Sequence, residues 1–391
     1  MSIQEKTAKE KFFKPDAHDG WARSGSYELE GKRVATPAYF PVVALFCGQN
    51  PQTLFAGGIY RHIKSHIKAH PDNFDCLMTS AVQFLDFHFD QAGFERALSR
   101  SVQDWFGFDG MLFVDSGGFK LISGRYERHK TLSGYGSLKI KMTAQNVLRI
   151  QHRMGASIVA TLDFPLAGKI SAEEKSERIK ASIENSHVAL SCRPGGAKVL
   201  AAVHGHTPQE IRSFVSALDD GFDGYAVGSL VPLRNNYESL IRIVNAAKCA
   251  VPNGKPIHLF GVTGKLLPLF AYMGIDSFDS ATYVLAGRYG RYLMPETRKA
   301  KDISKISRRI CECPICREHR LFEMKLMDSR SGALIALHNY YVFKNETFEL
   351  QQSIQKGELD KFLGKYCETD PRLAEAFKLV KRLCSSRSHA R

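Results

Sequence analysis

The sequence predicts an α/β fold: a closed (β/α)8 TIM barrel carrying an appended zinc-binding subdomain and C-terminal helices. Three observations lead there. Short β-rich apolar runs alternate with longer amphipathic stretches between about residues 34 and 282. Eight such runs over roughly 250 residues are what a barrel of parallel strands and crossover helices requires. Polar residues (Asp115, Asp163, His204, Ser229 and Asp279) fall at or just after the C-terminal ends of these runs. A doubly wound open sheet alternates similarly, but in a barrel those ends converge on one mouth, where such folds place their chemistry.

The predicted strands are Ala38–Val43, Cys76–Ser80, Met111–Asp115, Ile158–Asp163, Val199–His204, Gly224–Gly228, Ile257–Val262 and Ser277–Asp279. Helical spacing marks Thr143–Met154, Ala172–Leu190, Pro208–Leu218 and Tyr237–Ala247 between them. Residues 1–33 read as a polar N-terminal extension with turn character around Asp16–Ser26, and residues 34–296 as the catalytic barrel. Gly48–Phe74 looks inserted. Residues 297–391 break the alternation and read as the zinc-binding subdomain, with a helical stretch at Glu346–Arg382 interrupted by Asp370-Pro371.

The 391 residues suit two or three domains, or one large barrel with additions. A content of 44% hydrophobic and 24% charged residues excludes a disordered or collagen-like chain. No run reaches the ~18 apolar residues of a membrane span. The start, Met1 to Lys6, is polar and lacks a signal-peptide core. A soluble, cytoplasmic protein without membrane contact is expected. The formal net charge of +14 favours acidic partners such as nucleic acid. The excess is concentrated in Arg298, Lys299, Lys301, Lys305, Arg308 and Arg309; in Arg125, Arg128, Lys130, Lys139 and Lys141; and in the tail from Lys378 to Arg391. Each cluster alone reads as solvated surface; the three together point to a polyanion.

Of nine cysteines, Cys47, Cys76, Cys192, Cys249, Cys367 and Cys384 are scattered and read as reduced thiols. Cys311-x-Cys313-x2-Cys316, followed by His338, is different. Three thiolates and one imidazole form a closed tetrahedral zinc shell, which is structural because no position is open to activate water. His62, His66 and His70 recur at helical spacing among Arg61, Lys64 and Lys68, which reads as a solvated basic helix. Gly261-Val-Thr-Gly264-Lys265 lacks the spacing of a phosphate loop, and Gly287 with Gly290 does not make a dinucleotide fingerprint. A single Asp after a strand is commonly a cap or turn residue. Asp115, Asp163 and Asp279 at equivalent barrel positions, with Asp276 close by, instead suggest a carboxylate pair for glycosyl chemistry and a third that reads a base edge.

Asp115-Ser-Gly-Gly-Phe119, the run Phe222-Asp-Gly-Tyr-Ala-Val-Gly-Ser-Leu230, Phe278-Asp279 and the Cys-x-Cys-x2-Cys…His motif, in that order, resemble the tRNA-guanine transglycosylase superfamily. The resemblance covers roughly residues 34–343. It implies exchange of guanine in nucleic acid for a 7-deazaguanine base through a covalent intermediate. It further implies Asp279 as nucleophile on the ribose C1′, a suitable task for a carboxylate, and Asp115 as general acid/base. Asp163 would read the guanine edge and Phe119 would stack on the base. Ser116, His204, Ser229, Leu230, Phe260 and Gly261 would complete the base pocket, while Arg288, Arg291, Arg298 and Lys299 would contact nucleic acid. The target nucleotide would have to be extruded or unpaired.

The chain departs from the bacterial pattern where His204 replaces a pocket glutamine and Ser229 a glycine. Ser280 to Arg288, with Arg291-Tyr292 and Pro295, is closer to the archaeal archaeosine enzymes, whose appended RNA-binding domains are expected to be lacking. This mixture is similar to the divergent branch that inserts 7-deazaguanines into DNA. DNA is therefore the expected substrate and 7-cyano-7-deazaguanine the incoming base. The rivals are the same exchange on tRNA and a non-catalytic nucleic-acid-binding subunit. A homodimer and a helper ATPase are expected partners.

Overall fold

The computed structural model describes residues 11–44, 51–86, 89–121, 126–127, 131–133, 137–193, 195–261, 264–368 and 370–385. Arg125, Arg128, Lys130 and the last basic residues of the tail lie outside them. No helix among the described residues is long and apolar enough to cross a membrane.

Three antiparallel strands come first: β1 (Phe13–Asp19), β2 (Ala22–Leu29) and β3 (Lys32–Thr36). Eight parallel strands follow: β4 (Ala38–Pro41), β5 (Cys76–Ser80), β6 (Met111–Asp115), β7 (Ile158–Ala160), β8 (Lys198–Val203), β9 (Gly224–Val227), β10 (Ile257–Leu259) and β11 (Ser277–Ser280). They pair in the order β4-β11-β10-β9-β8-β7-β6-β5. A parallel bridge from Val42 to Met78, with the Val43 N–H donating to the Met78 carbonyl at 2.8 Å, joins the two edge strands. The sheet is thus a (β/α)8 barrel, and each strand lies within or beside a predicted run.

The barrel helices begin where local chemistry starts them. Thr143 caps Ala144–Arg153, Ser171 caps Ala172–Ser191 and Asn236 caps Tyr237–Ala250. Thr207 and Glu210 form a reciprocal capping box over Pro208–Ser216, with Pro208 in the first turn.

Within the predicted N-terminal extension, the described residues form the β1–β3 sheet, and β3 runs across residues 33 and 34. Sequence pattern conceals this sheet because Pro15 interrupts β1, where the register shifts. In addition, β2 begins Ala-Arg-Ser-Gly-Ser, with little apolar content, although every one of those residues is buried. Phe12, Phe13, Tyr27 and Val34 pack into the barrel interior with Phe40, Met78, Phe113, Ile158, Leu200 and Ala226. The sheet therefore plugs the barrel at the N-terminal ends of its strands. Arg23 fastens the plug: its Nε and one terminal nitrogen donate to the two Asp276 oxygens at 2.6 and 2.7 Å, beside the start of β11. Asp276 also accepts from the Ile257 N–H at 2.8 Å, so this aspartate belongs to the closed end and not to the mouth. Removing one partner leaves the other charge buried alone. Asp276→Ala is expected to cost about 3–5 kcal/mol in denaturant unfolding.

After the barrel strands, Arg291–Leu293 pairs with Ala300–Asp302, and a 27-residue helix, Ser329–Gln355, packs on the helices Thr282–Arg288 and Pro51–Ala69 and on β1 and β2. The helix starts well before Glu346, where the sequence places it. Ala333 to Tyr340 are all buried, so the one-sided apolar stripe that betrays a helix is absent there. Leu359–Cys367 and Pro371–Ser385 complete the C-terminal helices, broken at Pro371 as expected. The histidine helix is not simply solvated. His66 lies tilted against His70 with ring centres 4.7 Å apart, meets Phe74 and Tyr341 edge-on, and is driven down to a pKa of about 4 by burial and by His70.

Candidate active site

The polar strand ends converge at the barrel mouth. Asp115 is the last residue of β6; its carboxylate accepts from the Gly117 N–H at 2.8 Å. Burial pushes its carboxyl up to about 7, reinforced by the charges of Asp163 and Asp279 and opposed by a hydrogen bond from Ser80. The three aspartates therefore share one electrostatic environment, which keeps a proton on Asp115 near neutral pH. The sign follows from the unfolded value near 3.9. Stability is fully present below about pH 4 and is lost progressively as pH rises from there through about 7. Over that range the unfolded carboxyl gives up its proton, whereas the folded one would have to hold a poorly solvated charge. Asp115→Asn is expected to raise the melting temperature at pH 8 and leave it unchanged near pH 4.

Asp163, after β7, is 8% exposed and accepts from the Ser116 hydroxyl. A side chain at Gly118 would strike the Asp163 carbonyl at 2.5 Å and its carboxylate at 2.6 Å, so the glycine lets the Ser116–Gly118 turn close on Asp163. His204, after β8, is buried behind the same carboxylate. Its Nε2 lies 2.9 Å from Asp163 Oδ2, off the line of a good hydrogen bond, and its Nδ1 is 2.8 Å from Ser229 Oγ. Ser229, at φ 63°, also receives the Leu166 N–H at 2.7 Å. A left-handed backbone at a non-glycine residue persists only where the surroundings hold it. Gly228 is needed for the close packing, since a Cβ there would sit 2.6 Å from the His204 ring. His204 is thus buried between Asp163 and the Ser229 loop, bonded to Ser229, rather than standing in the open pocket. The Leu230 side chain lies in the core.

Asp279, in β11, is 7% exposed. Its Oδ1 accepts from the Gly261 N–H at 2.8 Å and faces His258 Nε2 at 3.2 Å. Phe260 packs against His258 and Phe113. Phe119, four residues after Asp115, is 63% exposed, a state suited to stacking on a flat ligand. His258 is not among the residues that the sequence singles out, because it sits inside an apolar strand. A lone ionisable residue in the fully buried β10 is the available signal.

The basic residues separate into two kinds. Arg291 and Lys299 are exposed, and Arg288 lies over the Tyr289 ring at 5.5 Å. Arg298 departs from expectation. Its side chain is 7% exposed and bonds Glu346 at 3.2 Å and Glu349 at 3.1 Å, so it braces the long helix and has no free face for a phosphate.

The Cys311, Cys313, Cys316 and His338 ligand atoms lie within 4.8 Å of one another, an arrangement able to hold a metal ion. His338 Nε2 donates to the Leu293 carbonyl at 2.8 Å, which leaves the Nδ1 lone pair directed at the thiols. Nδ1 is 3.5 Å from Cys313 Sγ and 3.4 Å from Cys316 Sγ. The edge between sulfur and nitrogen of a tetrahedral zinc shell is about 3.5 Å from ordinary bond lengths. The donor set and its spacing therefore fit zinc. Tyr292 stacks on His338 with ring centres 3.6 Å apart.

A parallel barrel with clustered carboxylates at its mouth and a thiol–imidazole tetrad beside it defines a narrow class of protein. The chain matches the queuine tRNA-ribosyltransferase family model over residues 18–372 and belongs to that family. It is 30% identical to a tRNA-guanine(15) transglycosylase of Pyrococcus abyssi over 94% of this chain and 58% of the relative. Its identity to the Methanococcus aeolicus protein of the same name is 29%, over 72% of this chain and 43% of the relative. The chain thus spans about half the length of these curated relatives.

Proposed function

We propose that this chain is a pentosyltransferase that exchanges guanine for a 7-deazaguanine base in nucleic acid. The convergence of Asp115, Asp163 and Asp279 at one mouth carries the reading. Asp279 is the nucleophile: as its carboxylate bonds to C1′, the bond to the base breaks and the electron pair leaves on the base nitrogen. Asp115 supplies the proton for the departing base and takes one from the incoming base, a double displacement that returns the original configuration. Its pKa of about 7 suits both directions. Asp163, held by Ser116 and backed by the buried His204, accepts from the guanine edge; Phe119 stacks on the ring. Ser229, Leu230, Phe260 and Gly261 line the pocket through backbone and ring contacts, and Arg288, Arg291 and Lys299 meet the phosphates. Zinc on Cys311, Cys313, Cys316 and His338 is structural, cross-linking the segment after the barrel to the long helix.

The relatives are named for tRNA, and this favours tRNA as polymer over the DNA expected from the departures at His204 and Ser229. The deciding experiment is incorporation of radiolabelled guanine into tRNA, single-stranded DNA and duplex DNA, wild type against Asp279→Ala. Label entering tRNA alone, and lost in the variant, is the expected result. Label entering DNA alone would reverse the choice of polymer, and label entering neither would defeat the reading. A homodimer belongs to the same proposal and is read by sedimentation. A helper ATPase, needed if duplex must be opened at a few kcal/mol per base, would show as ATP-dependent labelling of duplex in cell extract.

A further inference from the structure

The nucleophile sits at the end of a buried chain of polar groups that crosses the barrel. Tyr27, from the N-terminal plug, places its hydroxyl 3.0 Å from Ser277 Oγ. Ser277 Oγ is 2.9 Å from His258 Nδ1, and His258 Nε2 is 3.2 Å from Asp279 Oδ1. Tyr27, Ser277 and His258 are each at most 1% exposed. Water cannot satisfy them, so each must find its partner in the protein.

The two ends fix the direction of the chain. A buried phenol has to donate its proton, and Ser277 Oγ is the acceptor within reach among the described residues. The serine hydroxyl then donates onward to Nδ1, which must be the unprotonated ring nitrogen. That leaves the proton on Nε2, facing a carboxylate oxygen that can only accept. Every donor points toward Asp279. The His258 ring cannot turn away, because Phe113, Phe260 and Phe40 surround it at 4.9, 5.0 and 6.0 Å, all edge-to-face.

We infer that His258 is a positioning residue for Asp279, held in its Nε2–H tautomer by Tyr27 and Ser277, and that Oδ2 is the attacking oxygen. Oδ1 is occupied by two donors, the Gly261 N–H and the His258 Nε2–H. Its lone pairs are engaged and its charge is drawn back, while Oδ2 keeps the aim. The N-terminal plug thereby acts on the chemistry as well as on the fold. This inference rests on the proposed function only for its catalytic consequence, not for the tautomer.

The test therefore has two readouts. Nitrogen NMR of the histidine ring in the intact protein is expected to show a single Nε2–H tautomer. The Nε2–H signal should shift in Asp279→Asn, and Nδ1 should shift in Ser277→Ala. In steady-state base exchange, His258→Phe keeps the aromatic volume and should lower kcat about 100-fold with KM unchanged, the scale of a nucleophile misplaced by about 1 Å. His258→Gln retains one donor toward Asp279 and should recover part of that loss, while Tyr27→Phe should cost only a few-fold. An Nδ1–H tautomer, or signals indifferent to both Asp279→Asn and Ser277→Ala, would overturn the relay. Wild-type kcat in His258→Phe would overturn its role. If the wild-type protein exchanged no base in any polymer, the functional reading would fall, and the tautomer measurements would still decide the relay.

Discussion

Asp279→Asn is expected to abolish base exchange, lowering kcat by at least about 10⁴-fold while leaving the melting temperature near that of the wild type. The amide is nearly the same size and can still accept from the Gly261 N–H, so the strand geometry survives. What it loses is the negative charge that bonds to an electron-poor sugar carbon and later leaves it. Binding should persist, because Phe119 and the cations proposed to meet the phosphates are untouched. The variant is therefore expected to retain nucleic acid in a filter-binding assay but to yield no denaturation-resistant protein–nucleic acid adduct. An adduct formed with undiminished yield would move the nucleophile to another carboxylate.

The second large effect is on stability. Stripping metal with a strong chelator, or replacing Cys316 with alanine, is expected to destabilise the fold by more than about 4 kcal/mol. Cys316 is 5% exposed, and its sulfur meets both His338 and the Tyr292 hydroxyl. Without a cation, three thiols and an imidazole remain packed together with nothing to neutralise a thiolate. The tetrad also ties the Cys311–Cys316 turn to the middle of the helix Ser329–Gln355, which covers the barrel from Tyr39 outward through Tyr340 and Phe343. Metal analysis should give one equivalent of zinc per chain in the wild type and none in Cys316→Ala. Retention of the wild-type melting temperature after full metal removal would show that packing alone supports the segment.

The barrel strands are legible in the sequence because a strand buried on both faces is a nearly continuous apolar run. Asp115, Asp163 and Asp279 stand out because charge at the end of such a run is costly unless used or capped. The cysteine spacing needs no fold to interpret. The N-terminal sheet is hidden because its burial comes from a partner distant in sequence. Ser24 and Ser26 are fully buried beneath the barrel, yet nothing in Ala-Arg-Ser-Gly-Ser announces it. Arg298 is disguised for the same reason: among six neighbouring cations it looks like any other, and only Glu346 and Glu349, about fifty residues on, withdraw it from solvent.

Local order along the chain thus determined the barrel, the metal tetrad and the acidic mouth, since each depends on periodicity or on spacing within one stretch. The tertiary structure alone decided which aspartate holds the plug and which faces the mouth, that His204 is buried behind Asp163, and that Tyr27 reaches Asp279 through Ser277 and His258. Those assignments depend on contacts between residues as far as about 250 positions apart. Hydrogen-bond direction and the desolvation that lifts the Asp115 pKa exist only once such distant segments have been packed together and water excluded from between them.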